Sequence, residues 1–168
     1  DAGRRTTFEW KAGAIFAIPL NAWHQHFNGS GLEAARYVAV TNAPVIINAF
    51  GDLNFVFHTA YDFTDRFDGN PDYFASKGEQ RGLLLDTNFV ADAVNLPLVS
   101  AHERGAAGSH IRFSMAKGHM NSHISQFGVG RYKKAHAHGP GAHVIIMSGE
   151  GYTLMWPEGG EPTRYEWR

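Results

Sequence analysis

The chain contains no cysteine. This absence excludes disulfide bonds, thiolate zinc sites, iron–sulfur clusters and thiol nucleophiles, so any metal must be held by histidine and carboxylate side chains. An excess of one charge is also lacking, because 15 Lys and Arg against 16 Asp and Glu leave a net charge of −1. Without long charged runs, this balance argues against a polyelectrolyte partner, and we expect no binding to nucleic acid.

Long apolar runs are missing as well. No stretch approaches the ~20 residues of a membrane span, and no basic segment leads into an apolar one as it does in a secretory signal. We therefore expect a soluble protein without a membrane partner, with the cytoplasm as its default location. Apolar residues are nevertheless abundant, at 43% of 168 residues, with 12 Phe, 6 Tyr and 4 Trp. This composition predicts a globular domain with a substantial core.

Short β-branched and aromatic segments, separated by turns, predict two blocks of strands. The predicted strands cover residues 6–10, 14–18, 36–40, 111–116, 123–127, 136–147, 151–156 and 163–167, with a turn at 157–160. The middle of the chain has no clean period. A short helix is predicted there at 71–76, with Asn70 as its N-cap and Pro71 in its first position, and a helical turn at 62–68.

Two His-x-His pairs occur, His24-Gln25-His26 and His136-Ala137-His138, where random placement predicts about 0.6. Side chains at i and i+2 of a strand face the same side, so each pair can present two imidazoles to one cavity, as first-row metals favour. The alternative is surface or core histidines without a metal. The other histidines outside these motifs have no spacing that indicates chemistry: His58, His102, His110, His119 and His123.

Both pairs lie within longer patterns of residues at fixed spacings. They resemble the two signature motifs of the cupin superfamily, G-x5-H-x-H-x3,4-E-x6-G and G-x5-P-x-G-x2-H-x3-N. The matching residues are Gly130, His136, His138 and Gly149 for the first motif, and Gly13, Pro19, His24 and Asn28 for the second. Two positions depart from the pattern. Asn21 stands in place of the middle glycine, and the glutamate position falls on Ala142 or, one step later, on His143.

Without that glutamate, the pattern is similar to gentisate dioxygenase and its salicylate and hydroxynaphthoate relatives, whose iron is held by three histidines. The resemblance implies metal ligands at His24, His136 and His138, for Fe(II) first, with Mn, Ni or Zn as alternatives. Three neutral imidazoles leave positions open for a bidentate substrate and dioxygen, which suits cleavage of a hydroxylated aromatic acid or a similar small chelating acid. The implied fold is mainly β, a cupin-type double-stranded β-helix (jelly-roll) barrel with a few short helices in the middle.

Further residues are candidates around this site. His26 shares a face with His24 in an extended chain, and it is either a catalytic acid or base that contacts substrate or a structural residue. His143 could replace the glutamate as a fourth ligand, although strict alternation from His136 would turn it away unless the turn at 139–141 resets the register.

Side chains near both motifs could bind an aromatic acid. Cations before the metal pair could orient a carboxylate, with solvated surface positions as the expectation for at least two of them: Arg131, Lys133 and Lys134. Aromatic side chains could line a barrel interior, and core packing explains them equally well: Phe16, Trp23 and Trp156.

The order of the motifs is reversed relative to an ordinary cupin. We therefore interpret residues 1–42 as the second half of a barrel, 43–110 as an irregular connecting region with short helices, and 111–168 as the first half of a barrel. Three arrangements stay open: the halves close within one chain, two chains exchange halves in a homodimer, or the chain is a segment of a longer bicupin. The rival function is a non-enzymatic or vestigial cupin that binds a small molecule or dimerises, with a structural metal or none.

Overall fold

The fold is built mainly from short strands. The computed structural model describes residues 5–75, 77–102, 105, 108–118 and 120–168. Of these residues 22% lie in strands and 11% in helices, which confirms a mainly β chain with few helices. The strands are β1 (Ile15–Phe16), β2 (Glu79–Arg81), β3 (Leu84–Asp86), β4 (Phe89–Val90), β5 (Val99–Ser100), β6 (Gly108–Ser114), β7 (Ser122–Phe127), β8 (Gly151–Met155) and β9 (Thr163–Trp167). The helices are α1 (Ala43–Phe50), α2 (Leu53–Phe57) and a 3₁₀ helix (Pro71–Phe74).

Strand β6 is the centre of a five-stranded sheet. Along one edge it pairs antiparallel with β7, with His110 opposite Ser125 and Arg112 opposite His123. Its other edge is shared by β5, which pairs antiparallel, and β3, which pairs parallel. Strand β2 extends the sheet beyond β3. The predicted strands at 111–116 and 123–127 are confirmed, and β6 begins three residues earlier than predicted.

Alternation along β6 separates a buried face from a polar face. Ile111 and Phe113 are 1% and 2% exposed and pack against Val90 and Ala93. Half-buried apolar side chains surround this cluster: Ile15, Leu85, Leu96, Leu98, Met115 and Ile124. Burial of Ile111 alone contributes about 2 kcal/mol. The residues of β6 between these positions project from the opposite face.

The segment before the first histidine pair is tied to this core. Strand β1 pairs with β4, with Ile15 opposite Val90 and Phe16 opposite Phe89. The Ala17 amide donates to the Asn88 carbonyl at 3.1 Å. Strand β1 therefore holds the part of the motif between Gly13 and His24 in place.

The two α-helices lie in the region 43–110 where short helices were expected, but outside the positions predicted for them at 62–68 and 71–76. Helix α1 has a proline in its first turn and ends at Gly51, whose φ of 64° allows its amide to donate to the Ile47 carbonyl at 2.7 Å. Helix α2 begins after Asp52, whose side chain accepts from the Asn54 amide at 2.7 Å. A proline near the start of a helix, a glycine after its end and an aspartate at its N-cap are helix signals that can be found in a sequence. They were not recognised here because both segments are short and apolar.

The 3₁₀ helix confirms the helix predicted from Asn70 and Pro71. The Asn70 side chain accepts a hydrogen bond from the Asp72 amide at 2.9 Å. The helix ends at Phe74, short of the predicted end at Ser76, which lies outside the described residues. The helical turn predicted at 62–68 is present, because the amides of Arg66 and Phe67 both donate to the Phe63 carbonyl.

Three predicted strands, at 6–10, 36–40 and 136–147, are wrong. None of these segments pairs with another strand in the part of the chain that the structure describes, and β-branched composition alone does not supply hydrogen-bonded partners. In the first segment, Phe8 instead stacks on Phe74 at a centroid distance of 4.0 Å. The last segment is interrupted by Pro140, which has no amide hydrogen to donate.

The chain divides into two compact units, Asp1–Lys133 and Lys134–Arg168. The smaller unit contains the hairpin of β8 and β9, with Gly151 opposite Trp167, close to the strands predicted at 151–156 and 163–167. The predicted turn at 157–160 is confirmed, with the Gly160 amide donating to the Pro157 carbonyl at 3.0 Å. No helix of the described residues has the length and apolar character needed to cross a membrane.

Candidate functional site

The turn positions of both histidine motifs share an unusual backbone conformation. Gly13, Gly130 and Gly149 have φ values of 88°, 68° and 82°. Asn21, which replaces the middle glycine, has a φ of 52°. This left-handed region favours glycine, and asparagine is among the other residues that enter it most readily. The substitution at Asn21 therefore preserves the backbone turn that the glycine position requires.

Asn21 also fixes the loop that precedes the first histidine pair. Its side-chain amide donates to the carbonyl of Thr59 at 3.0 Å and to that of Tyr61 at 2.9 Å. The Ala22 amide donates to the carbonyl of the buried Pro19 at 3.2 Å. These contacts hold the backbone two residues ahead of His24.

His24 and His26 lie side by side and exposed on this loop. Their ring centroids are 5.6 Å apart, with the ring planes at 60°. Nδ1 of His24 is 2.9 Å from the carbonyl oxygen of Ala22. The His26 ring lies 5.2 Å from the Tyr37 ring and 6.1 Å from the Phe16 ring. The pair thus faces one side of the loop although neither residue belongs to a strand.

His136 and His138 repeat this arrangement in the smaller unit. Their ring centroids are also 5.6 Å apart, with the planes at 44°. Nδ1 of His136 lies 3.1 Å from the Lys134 carbonyl oxygen, and Nδ1 of His138 lies 2.5 Å from the Pro140 carbonyl oxygen. Both histidines are exposed.

These contacts determine the tautomer of the three histidines. A backbone carbonyl only accepts hydrogen bonds, so Nδ1 must be the donor in His24, His136 and His138. In a neutral imidazole, the other nitrogen, Nε2, then carries the lone pair. Metal-bound histidines in proteins almost always donate their second ring nitrogen to a carbonyl, a carboxylate or water in this way. The three residues that the cupin resemblance implies as ligands all have the hydrogen bond that ligation through Nε2 requires.

The remaining ligand candidate, His143, is exposed and lies outside any strand. Strand alternation would point His143 away from the face of His136. This expectation does not apply, because residues 136–147 form no strand in the described structure. Over the described residues, neither unit by itself brings three His, Asp or Glu side chains close enough together to hold a metal ion. Each unit by itself contributes one adjacent pair of imidazoles.

The aromatic candidates differ in their surroundings. Trp23 is fully exposed, so core packing does not explain it. Phe16 packs edge-on against Phe8 at 5.1 Å and lies beside Phe89 in the β1–β4 pair, which places it at the margin of the core. Trp156 is 45% exposed.

The cationic candidates also differ in their exposure to solvent. Arg131 and Lys134 are exposed, as expected for two of the three. Lys133 is half-buried, lies 6.0 Å from the centre of the Phe127 ring, and lines a cavity on the five-stranded sheet. His110 and His123 line the same cavity, although their positions in the sequence gave no reason to group them. The alternation of His110 with buried Ile111 was the signal that could have found this polar face.

A scan of protein-family models, a search of curated proteins and a search of solved structures each found no match to this chain. The structure shows one exposed His-x-His pair in each unit, with the same ring separation of 5.6 Å in both pairs.

Proposed function

We propose that the chain is a metal-dependent cupin-type protein that binds Fe(II) through Nε2 of His24, His136 and His138. It cleaves a hydroxylated aromatic acid, or a similar small chelating acid, with dioxygen. The observation that carries this proposal is the set of three Nδ1–H hydrogen bonds to backbone carbonyls, the arrangement typical of histidines that bind a metal through Nε2. The proposal rests on geometry within each unit and on the motif spacing.

The backbone supports the same assignment independently. The glycine positions of both motifs favour residues that tolerate positive φ, and Gly13, Asn21, Gly130 and Gly149 all adopt it. The cupin motifs place glycine at these same four positions. The agreement of backbone conformation with motif position favours a cupin-type jelly-roll barrel as the fold of the complete site.

The donor set fits a divalent first-row metal. Imidazole nitrogen suits Fe, Mn, Ni and Zn, and with no thiolate in the chain the softer metals lose their preferred ligands. When bound, such a metal would supply Lewis acidity and, as Fe(II), the one-electron chemistry that dioxygen needs. His143 is the candidate for a fourth ligand.

The other side chains of the larger unit's loop would serve the substrate. His26, beside Tyr37 at 5.2 Å, would accept or return a phenolic proton at an imidazole nitrogen. The exposed indole of Trp23, next to His24, offers a flat apolar surface for an aromatic ring.

The partner in this proposal is a second copy of the chain. In residues 134–168 many large apolar side chains are exposed, with Val144 at 80% and Ile145 at 62%. Soluble monomers rarely leave such surface uncovered. Exchange of half-barrels in a homodimer would cover it. Light scattering is expected to give twice the 18.5 kDa chain mass, and Val144→Asp is expected to shift the mass toward that of one chain. A wild-type monomer would contradict this part of the proposal.

Metal content and oxygen uptake test the function. Protein purified without oxygen is expected to contain about one metal per site by elemental analysis, and His136→Ala to lose it. His58→Ala, which changes an exposed histidine outside both motifs, is the matched control and is expected to keep the metal. Oxygen uptake is then measured with hydroxybenzoates. No metal in the wild type refutes the proposal, whereas bound metal without uptake on any chelating acid supports the non-enzymatic alternative.

A further inference from the structure

The loop that follows the first histidine pair contains the only Asn-Gly step of the chain, at Asn28 and Gly29. Both residues are exposed and lie outside any helix or strand. A Cβ built on Gly29 would meet no atom within 4 Å, and its φ lies outside the left-handed region. The backbone nitrogen of Gly29 therefore lies in open surroundings, with no side chain on its own residue to block an approach to the Asn28 side chain.

Both polar atoms of the Asn28 side chain are held by backbone groups. Oδ1 accepts a hydrogen bond from the Ser30 amide at 3.0 Å, and Nδ2 donates to the Glu33 carbonyl at 2.8 Å. An amide only donates and a carbonyl only accepts, so the two contacts identify the oxygen and the nitrogen of this side chain. The Ser30 hydroxyl oxygen accepts from the amides of Leu32 and Glu33 at 3.1 and 2.9 Å, which ties both contacts into one small loop.

These contacts match what attack on the side-chain amide requires. When a backbone nitrogen attacks Cγ of Asn28, negative charge develops on Oδ1, and a donor already placed at that oxygen stabilises it as an oxyanion hole does. The Ser30 amide occupies that position. The leaving Nδ2 gains positive charge as it takes up a proton, and the Glu33 carbonyl accepts a stronger hydrogen bond from the charged group.

We propose that Asn28 is a site of spontaneous deamidation that the folded loop promotes. The Gly29 nitrogen loses its proton to solvent and forms a bond to Cγ of Asn28. The bond between Cγ and Nδ2 then breaks, and Nδ2 takes up a proton and leaves as ammonia. Water opens the resulting five-membered succinimide ring at one of its two carbonyls, which gives aspartate or isoaspartate. The net reaction exchanges ammonia for water, and nothing is oxidised or reduced.

The modification changes the loop itself. A carboxylate oxygen replaces the Nδ2 donor, so two acceptors then face each other at the Glu33 carbonyl. A negative charge also arises four residues after His24, at the last position of the second histidine motif. Isoaspartate in addition lengthens the backbone by one methylene. The reaction needs no metal and no substrate, so it is measured independently of the proposed metal site.

Peptide mass spectrometry of the full chain, incubated at neutral pH in buffer and in urea, tests the proposal. The peptide that contains Asn28 is expected to gain the mass of a hydroxyl in place of an amino group, and an isoaspartate-specific methyltransferase is expected to label it. The folded chain is expected to react at least about tenfold faster than the unfolded chain, less than an oxyanion donor contributes inside an enzyme. Asn95 is the internal control and is expected to stay unmodified, because it is exposed and hydrogen-bonded through Nδ2 but precedes Leu96.

Three variants identify the cause. Gly29→Ala is expected to slow the reaction, because a Cβ beside the attacking nitrogen obstructs it. Gly31→Ala, which also adds a Cβ in open space, is the matched control and is expected to leave the rate unchanged. Ser30→Ala removes the acceptor that ties the loop together and is expected to lower the rate of the folded chain to that of the unfolded chain.

The comparison of folded and unfolded chain decides the proposal. A faster reaction in the folded chain that falls in Gly29→Ala and in Ser30→Ala supports it. A folded chain that reacts no faster than the unfolded one would mean that the two hydrogen bonds hold Asn28 in place, and this result overturns the proposal. Equal modification of Asn28 and Asn95, or an unchanged rate in Gly29→Ala or in Ser30→Ala, overturns it as well.

Discussion

Replacement of Tyr73 by phenylalanine is expected to stabilise the larger unit. The Tyr73 ring packs edge-on against Phe67 at 4.9 Å and against Phe74 at 4.8 Å. Its hydroxyl oxygen is buried among these groups, and no described residue forms a hydrogen bond with it. A buried polar group without a partner costs about 1–3 kcal/mol. The phenylalanine ring keeps the aromatic contacts and removes that cost, so the expected gain at neutral pH is about 1 kcal/mol.

The same hydroxyl makes stability depend on alkaline pH. Burial raises the pKa of Tyr73 from 10.0 to about 12. Below pH 10 the residue is neutral in both states and its contribution is constant. Between pH 10 and about 12 the unfolded chain loses this proton before the folded chain does, so the free energy of unfolding falls as pH rises. A rise in pKa from 10.0 to about 12 corresponds to at most about 3 kcal/mol, and partial exposure of the side chain reduces the expected loss to about 1–2 kcal/mol.

Urea unfolding of wild type and Tyr73→Phe, measured at neutral pH and at pH values above 10, tests both effects. The variant is expected to be more stable at neutral pH, and its advantage is expected to grow as pH rises. Tyr61→Phe, a change at an exposed tyrosine, is the control and is expected to show neither effect. A variant less stable than wild type at neutral pH, with the same alkaline decline, would refute the reasoning.

Three further predictions follow from single contacts. Ile111→Ala is expected to lower the free energy of unfolding by about 3 kcal/mol, because it empties the most buried position of the core; a loss below about 1 kcal/mol in urea unfolding would contradict that packing. Asn95→Ala is expected to raise the lowered pKa of Asp92, because it removes the side-chain hydrogen bond of Asn95 to that carboxylate and keeps the backbone one; an NMR titration that shows no change would count against the side-chain bond. At alkaline pH, nitrogen NMR is expected to find the Nδ1–H tautomer at His24 and at His138, and an Nε2–H signal at either would remove the basis of the metal assignment.

Patterns that depend on near neighbours in sequence could be predicted. Alternation located β7 and β9, and the pair of Asn70 and Pro71 located the 3₁₀ helix. Motif spacing identified Asn21 as the replacement for a glycine. Its φ is positive, which is the backbone conformation that favours glycine at such a position. In each case the cause lies within a few residues of the effect.

Features that depend on distant partners could not be predicted. Residues 136–147 have the composition of a strand, but strand pairing needs a neighbour that composition does not reveal. His110 and His123 have no informative spacing, because they meet through cross-strand register and not through positions i and i+2. Alternation along β6 could have indicated the polar face, but the grouping of residues around the cavity depends on the register between β6 and β7.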